Sequence, residues 1–329
     1  MTGSRGGRAR PPAGGRRTKP SLEVDLGGIR LPNPVLAASG CLGTGGDVPG
    51  LVDLHRFGGV VSRSLTFGPT KGWPTPRAAE TASGLLSAVG LQNPGVRAFV
   101  SEDLPRLARA VPVVASVAGS SLAEYVNVAG ALHLKDGVVA LEVYLSCPDV
   151  DHEGEPFFTR PERLIEIVGA VARMSRVPVF VKLPALLPGL VGTARSCVRA
   201  GAFGFTLVDA VPGLAIDPGR LRTKTAVAVA GLSGPAIKPV ALAAVFQVSQ
   251  ALPNVPIMGV GGIATGEDAA EFLLAGAWAV QVGTALLVDP SAHVRIVREL
   301  HGYLRAKGFA SPADVRGRLR VRGSSDTTT

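Results

Sequence analysis

Cys147 stands in a Ser146-Cys147-Pro148 turn directly after the apolar run 138–143. A thiol in that place can act as general acid or base toward a carbon acid if its surroundings bring its pKa toward neutrality. Lys182 ends a second apolar run, VPVFVKL at 177–183, and an ammonium there needs a partner if it is buried. Gly259-Val260-Gly261-Gly262 and Gly283-Thr284 close two further runs. Glycines so placed leave backbone N–H groups open to an anion, and a helix beginning at Thr265-Gly266 would add its dipole. Cys41 and Cys197 read as buried, inert thiols. His55, His133, His152, His293 and His301 are scattered without ligand spacing, so no metal site is expected.

The elements that must position these groups follow from periodicity. Eight short apolar runs occur at 35–39, 59–62, 112–117, 138–143, 177–183, 204–208, 255–259 and 278–282. Helical patterns lie at 101–109 (with Ser101 as N-cap), 161–174, 191–200, 239–252, 266–275 and 290–306. In 161–174, Leu164, Ile167, Val168 and Val171 share one face, and Pro161 suits a first turn. Continuous apolar strands alternating with helices predict a parallel sheet buried on both faces. Eight of them predict a single-domain (β/α)8 TIM barrel, with a doubly wound sheet as the alternative. Long loops at 65–98, 144–160 and 209–236 follow the second, fourth and sixth strands, so they should cover the catalytic face.

The formal charge of +9 at first suggests a nucleic-acid partner. Its distribution argues otherwise. Residues 1–20 hold six bases and no acid, residues 316–329 hold four arginines against Asp326, and the remainder balances at 24 bases and 24 acids. The expected organisation is a disordered basic leader over 1–20, a barrel over 21–310 and a disordered basic tail over 311–329. Three cysteines in 329 residues fit a reducing cytosol. There is no apolar segment of a secretory signal and no uncharged apolar run long enough for a membrane span. A cytoplasmic enzyme without membrane or nucleic-acid partners is the expectation.

In a barrel the catalytic groups sit at strand C-termini. Ser39, Arg63, Ser64, Ser116, Tyr144, Cys147, Lys182, Val208, Asp209, Gly261, Gly262, Gly283 and Thr284 all fall there or just beyond. The glycines after strands seven and eight match the phosphate site common to barrels, including those that bind flavin mononucleotide. Lys182 would suit the N1/C2 carbonyl side of a reduced flavin, where positive charge is stabilising.

Several stretches resemble the class 1 dihydroorotate dehydrogenases, most closely the subgroup that pairs with an iron–sulfur/FAD subunit. They are NPVLAASGCLGTG (33–45), PTPRAAETASGLLSAVGLQNPG (74–95), SVAGSS (116–121), LSCP (145–148), VPVFVKL (177–183), GLSGPAIKPVAL (231–242), GVGGIATGEDAAEFLLAGA (259–277) and VQVGTA (280–285). They run in family order over roughly residues 22–305. The resemblance implies FMN at the top of the barrel, held by Ser39, Ser64, Lys182, Val208, Gly234, Gly261, Gly262, Gly283 and Thr284. It implies that Cys147 is the acid/base and that hydride passes to flavin N5. It also implies a homodimer.

The substrate positions depart from the family pattern. The family's lysine after strand two is Arg63, and its asparagines are Ser87, Tyr144, Asp149 and Asp209, while Asn93 is kept. A flavin-contacting asparagine is Ser116. Asparagine both donates and accepts, whereas an ionised carboxylate only accepts. These changes lead to the expectation of an FMN-dependent oxidoreductase acting on a C–C bond beside a carbonyl, on a small substrate other than orotate, such as an amino-bearing heterocycle. The alternatives are an authentic dihydroorotate dehydrogenase of pyrimidine biosynthesis and an RNA-directed flavin reductase like the tRNA-dihydrouridine synthases. Against the last, the Gln-Asn-Pro-Gly and Gly-Leu-Ser-Gly-Pro motifs are foreign to that family.

Overall fold

The computed structural model describes residues 19–43 and 50–321. Eight parallel strands close into a barrel in sequence order. They are β1 (Val35–Ala37), β2 (Gly59–Val61), β3 (Val113–Val117), β4 (Val138–Tyr144), β5 (Val179–Leu183), β6 (Gly204–Leu207), β7 (Ile257–Val260) and β8 (Ala279–Val282). Each coincides with a predicted run. The main helices are α1 (Leu104–Ala110), α2 (Leu122–Leu132), α3 (Pro161–Met174), α4 (Leu190–Ala200), α5 (Lys238–Ala251), α6 (Gly266–Ala275) and α7 (Ala292–Lys307). No helix among the described residues is long and apolar enough to cross a membrane.

Strand alternation divides the core in two. Outward residues such as Val60, Val113, Val143, Val181 and Val280 join the helices in one large cluster. Inward residues Leu36, Val61, Val114, Ala140, Phe180, Met258 and Ala279 form a second. The hairpin Val24–Asp25/Arg30–Leu31 adds Val24, Leu26, Ile29 and Leu31 to this inner cluster. The same parity carried up each strand delivers Ser116, Tyr144 and Lys182 to the mouth.

Two predicted loops are built differently from expectation. Segments after β2 and β6 combine into one antiparallel sheet in the order Val211–Gly213, Ala230–Ser233, Gly84–Ser87 and Ala78–Thr81. Helix α2 is absent from the sequence prediction, although Ser121 accepts a hydrogen bond from the Glu124 N–H as its N-cap. Ser101 is not an N-cap: it lies in a π-helical turn, Phe99–Asp103, and its hydroxyl donates back to the Arg97 and Ala98 carbonyls.

The expected boundary at 310 falls inside packed structure. A short 3-10 turn, Pro312–Asp314, leads into Arg316, whose guanidinium lies 3.7 Å from the Trp278 ring centroid. The Gly317 and Leu319 N–H groups donate to Leu273 and Leu274. Residues 1–18 and 322–329 of the two predicted basic ends lie outside the described residues.

Candidate active site

Cys147 is 1% exposed in the turn after β4. Its Sγ lies 3.6 Å from the Tyr144 carbonyl, which also accepts the Tyr125 hydroxyl at 2.5 Å. Tyr125 comes from α2 and is fully buried. Burial pushes the Cys147 thiol up to about 12, while the Tyr125 hydroxyl and the Gly119 N–H pull it down. Tyr125 is itself raised well above an ordinary phenol by burial, then by Cys147. The Phe157 N–H donates to the Cys147 carbonyl at 3.2 Å, which ties the turn to the far end of its loop.

Lys182 tops the adjacent strand. Its Nζ is 3.6 Å from Asp209 Oδ1 and 5.8 Å from the Tyr144 ring centroid. Burial alone would depress this ammonium, but Asp209 first and Glu142 next hold it above the ordinary lysine value. Asp209 Oδ2 accepts the Ser146 hydroxyl at 2.7 Å. Burial, followed by the Asp209 charge, keeps the Tyr144 phenol protonated well above its usual range. The tops of β4, β5 and β6 thus gather a phenol and an ammonium around the Asp209 carboxylate.

The tops of β1, β2 and β3 carry a serine chain. The Ser39 hydroxyl donates to Ser62 O at 2.8 Å and lies 3.4 Å from Ser64 Oγ, which is 2.9 Å from Ser116 Oγ. Arg63 donates to the Gln92 carbonyl at 2.8 Å. Its charge and that of Lys182 both act on Cys41, whose thiol burial raises to about 11.

The glycine ends of β7 and β8 meet the cap sheet. Gly261 and Gly262 have φ of +126° and +79°. A Cβ on Gly262 would lie 2.8 Å from Lys238 Cβ and 2.9 Å from Gly234 O, so only glycine fits. The Thr284 hydroxyl donates to Ser233 Oγ at 2.8 Å. The N–H groups of Gly261, Gly262, Gly283 and Thr284 make no hydrogen bond within the described protein. They form a cradle of free donors suited to a phosphate.

The Thr265-Gly266 helix start spends several of its N–H groups within the protein. The Ala264 and Thr265 N–H groups donate to Asp268 Oδ2, the Asp268 N–H to Thr265 Oγ1, and the Gly266 N–H to Glu299. A capping box of Thr265 and Asp268, with Glu299 on the Gly266 N–H, thus occupies much of that end of α6.

Three predicted substrate residues have other partners. Asn93 spends its amide on the loop: Oδ1 accepts from the Thr66 and Gly95 N–H groups, and Nδ2 donates to Leu91 O and Thr66 Oγ1. Asp149 is 1% exposed, accepts from the Asp151 N–H and pairs with Arg163 of α3 at 3.0 Å. Ser87 sits in the cap sheet opposite Gly231 and Ala78. Sequence reasoning missed Tyr125, Ser146 and Glu142. Only the alternation of β4, which points Glu142 inward with Tyr144, signalled any of them. Among the described residues no cluster of side chains could hold a metal ion.

A family profile described as "Dihydroorotate dehydrogenase" matches residues 21–304. The chain is 44% identical over 304 residues to "Dihydroorotate dehydrogenase B (NAD(+)), catalytic subunit" of Geotalea daltonii, covering 92% of this chain and 99% of that protein. It is 43% identical over 297 residues to the same-named protein of Halalkalibacterium halodurans, covering 90% and 97%. Among solved structures, it is similar to the DHODH of Eimeria tenella in complex with ferulenol. The TM-score is 0.78 at 21% identity, with 93% and 90% of the two chains covered.

Proposed function

The chain belongs to the dihydroorotate dehydrogenase family, FMN-dependent oxidoreductases acting on CH–CH groups, and we propose that it oxidises dihydroorotate to orotate. The observation that carries this reading is one rim bearing three things. They are a buried thiol after β4, a buried ammonium on β5, and a cradle of free N–H groups after β7 and β8.

The residues fit FMN. The N–H groups of Gly261, Gly262, Gly283 and Thr284 would hold its phosphate, and the positive φ of Gly261 and Gly262 leaves room for it. Lys182 would face the electron-rich edge of the ring. When bound, FMN supplies the acceptor for a hydride. Cys147 Sγ would take the proton from the substrate carbon beside a carbonyl, and the neighbouring carbon would release the hydride. Loss of that proton and that hydride leaves the new C=C bond. The Gly119 N–H would stabilise the thiolate that begins the cycle, and the Tyr125 hydroxyl would add to this by turning its proton from the Tyr144 carbonyl to the sulfur. The cap sheet would restrict water at the mouth, since Gly84 packs against Gly234 beside Thr284.

The relatives' name, a catalytic subunit of an NAD(+) enzyme, supports a second subunit that carries electrons onward to NAD+. An iron–sulfur/FAD protein would serve. The test is anaerobic mixing of the FMN-loaded protein with dihydroorotate. The expected result is rapid loss of the flavin's visible absorbance.

One observation favours a second reading. Asp209 places a carboxylate, rather than a neutral amide, beside Lys182 and Tyr144 at the mouth. It would repel an anionic ring and attract an amino-bearing one. Flavin that stays oxidised with dihydroorotate but bleaches with an amino-bearing cyclic substrate would move the assignment there.

A further inference from the structure

Glu142 is a fully buried carboxyl inside the barrel. Its Oε2 accepts the Thr206 hydroxyl at 2.7 Å and the Gln281 amide N–H at 3.1 Å. Its Oε1 receives no hydrogen bond, and Gln281 Oε1 is likewise unpartnered. β4, β6 and β8 therefore meet in one polar layer, as alternate strands of such a barrel do. Among the described residues no lysine, arginine or histidine lies within ion-pair distance of Glu142. Burying an acid this way is costly, and packing alone does not require it.

An isosteric amide would cost the layer less. Glutamine at 142 would still accept from Thr206 and the Gln281 amide through one oxygen and would bury no charge. The carboxyl therefore stands against local stability, which suggests that its charge matters.

The group placed to feel that charge is Lys182. On β5, Phe180 is in register with Glu142 and Lys182 with Thr206. The Glu142–Thr206 contact thus crosses β5 between Phe180 and Lys182, one step beneath the ammonium. Glu142 raises the Lys182 pKa from below while Asp209 does so from the mouth. Asp209, at 3.6 Å, is too long for a strong hydrogen bond, so Lys182 keeps donors for the site.

We infer that Glu142 is a positioning residue for Lys182: a fixed counter-charge inside the barrel that sets how strongly the ammonium favours the reduced cofactor. This rests on Lys182 facing FMN, as proposed above. Weakening the counter-charge leaves the ammonium less compensated, so an anionic reduced flavin is stabilised.

The experiment is a double-mutant cycle read as the FMN midpoint potential, with Tm measured in parallel. E142Q is expected to keep its fold and FMN and to move the potential to more positive values. E142D, which keeps the charge, should stay near the parent. In a K182M background E142Q should have no effect. An unchanged potential in E142Q, or an equal shift with and without Lys182, would overturn the inference. Were K182M alone to leave the potential unmoved, the placement of Lys182 against FMN would fall instead.

Discussion

Asp149 occupies a position where the sequence suggests substrate recognition and the structure suggests loop anchoring, and Asp149→Asn separates the two. The asparagine can keep an acceptor for the Asp151 N–H. Its other side-chain atom becomes an NH2 facing Arg163 Nε, now 3.0 Å from a carboxylate oxygen. Two donors then oppose each other at a site only 1% exposed. Arg163 keeps Glu166 at 2.7 Å and Asp151 at 3.2 Å, so the cation itself is not stranded. The cost should be about 2–3 kcal/mol, between one charge-assisted hydrogen bond and a fully broken buried pair. For a domain of this size that corresponds to a fall in Tm of about 5 °C. The loop also carries Cys147, because Pro148 bridges Pro156 and Phe157 bonds the Cys147 carbonyl. Thermal melting of the FMN-loaded protein, with kcat and KM for dihydroorotate, is the assay. The anchoring account expects lower Tm and lower kcat with little change in KM. A D149N protein that melts like the parent but binds substrate differently would refute it.

Other consequences are as direct. Cys147→Ser should slow flavin reduction by about 10²–10⁴-fold while FMN stays bound, and parent-like reduction would remove the thiol from the mechanism. Because that thiol is pushed up to about 12, the parent's reduction rate should climb with pH through the neutral range, and a plateau near neutrality would contradict the assignment. Tyr125→Phe removes a donor that lowers the Cys147 pKa, so it should displace the pH–rate profile upward and slow reduction at any fixed pH below it; an unmoved profile would refute the contact. Gly262→Ala forces a side chain into φ +79° and against Lys238, which costs about 1–2 kcal/mol and should weaken FMN about tenfold by titration; undiminished affinity would argue against the cradle.

Much of this was legible because it is local. The eight strands announce themselves as apolar runs, and strand parity places Tyr144, Lys182 and Ser116 at the mouth without further information. What escaped depends on distant partners. The cap sheet joins residues 84–87 to 230–233, two segments that are each too short and too glycine-rich to read as strands alone. The glycine-ended strands point to an anion cradle from sequence alone, yet the helix start beside them is capped by Asp268, visible in the sequence as the third residue after Thr265. Helix α2 was likewise announced by Ser121 and Glu124 and overlooked.

The sequence by itself determined the barrel, the family and the chemistry available at its mouth, because burial pattern and residue type are properties of short segments. The tertiary structure alone decided which polar atoms are spent and which remain. It gave Asp149 to Arg163 and Asn93 to its own loop, kept Asp209 beside Lys182, and left Glu142 half-satisfied beneath them. The reason is physical: a hydrogen bond or an ion pair is set by angstrom-scale distances between atoms far apart in the chain. No spacing within a segment encodes that.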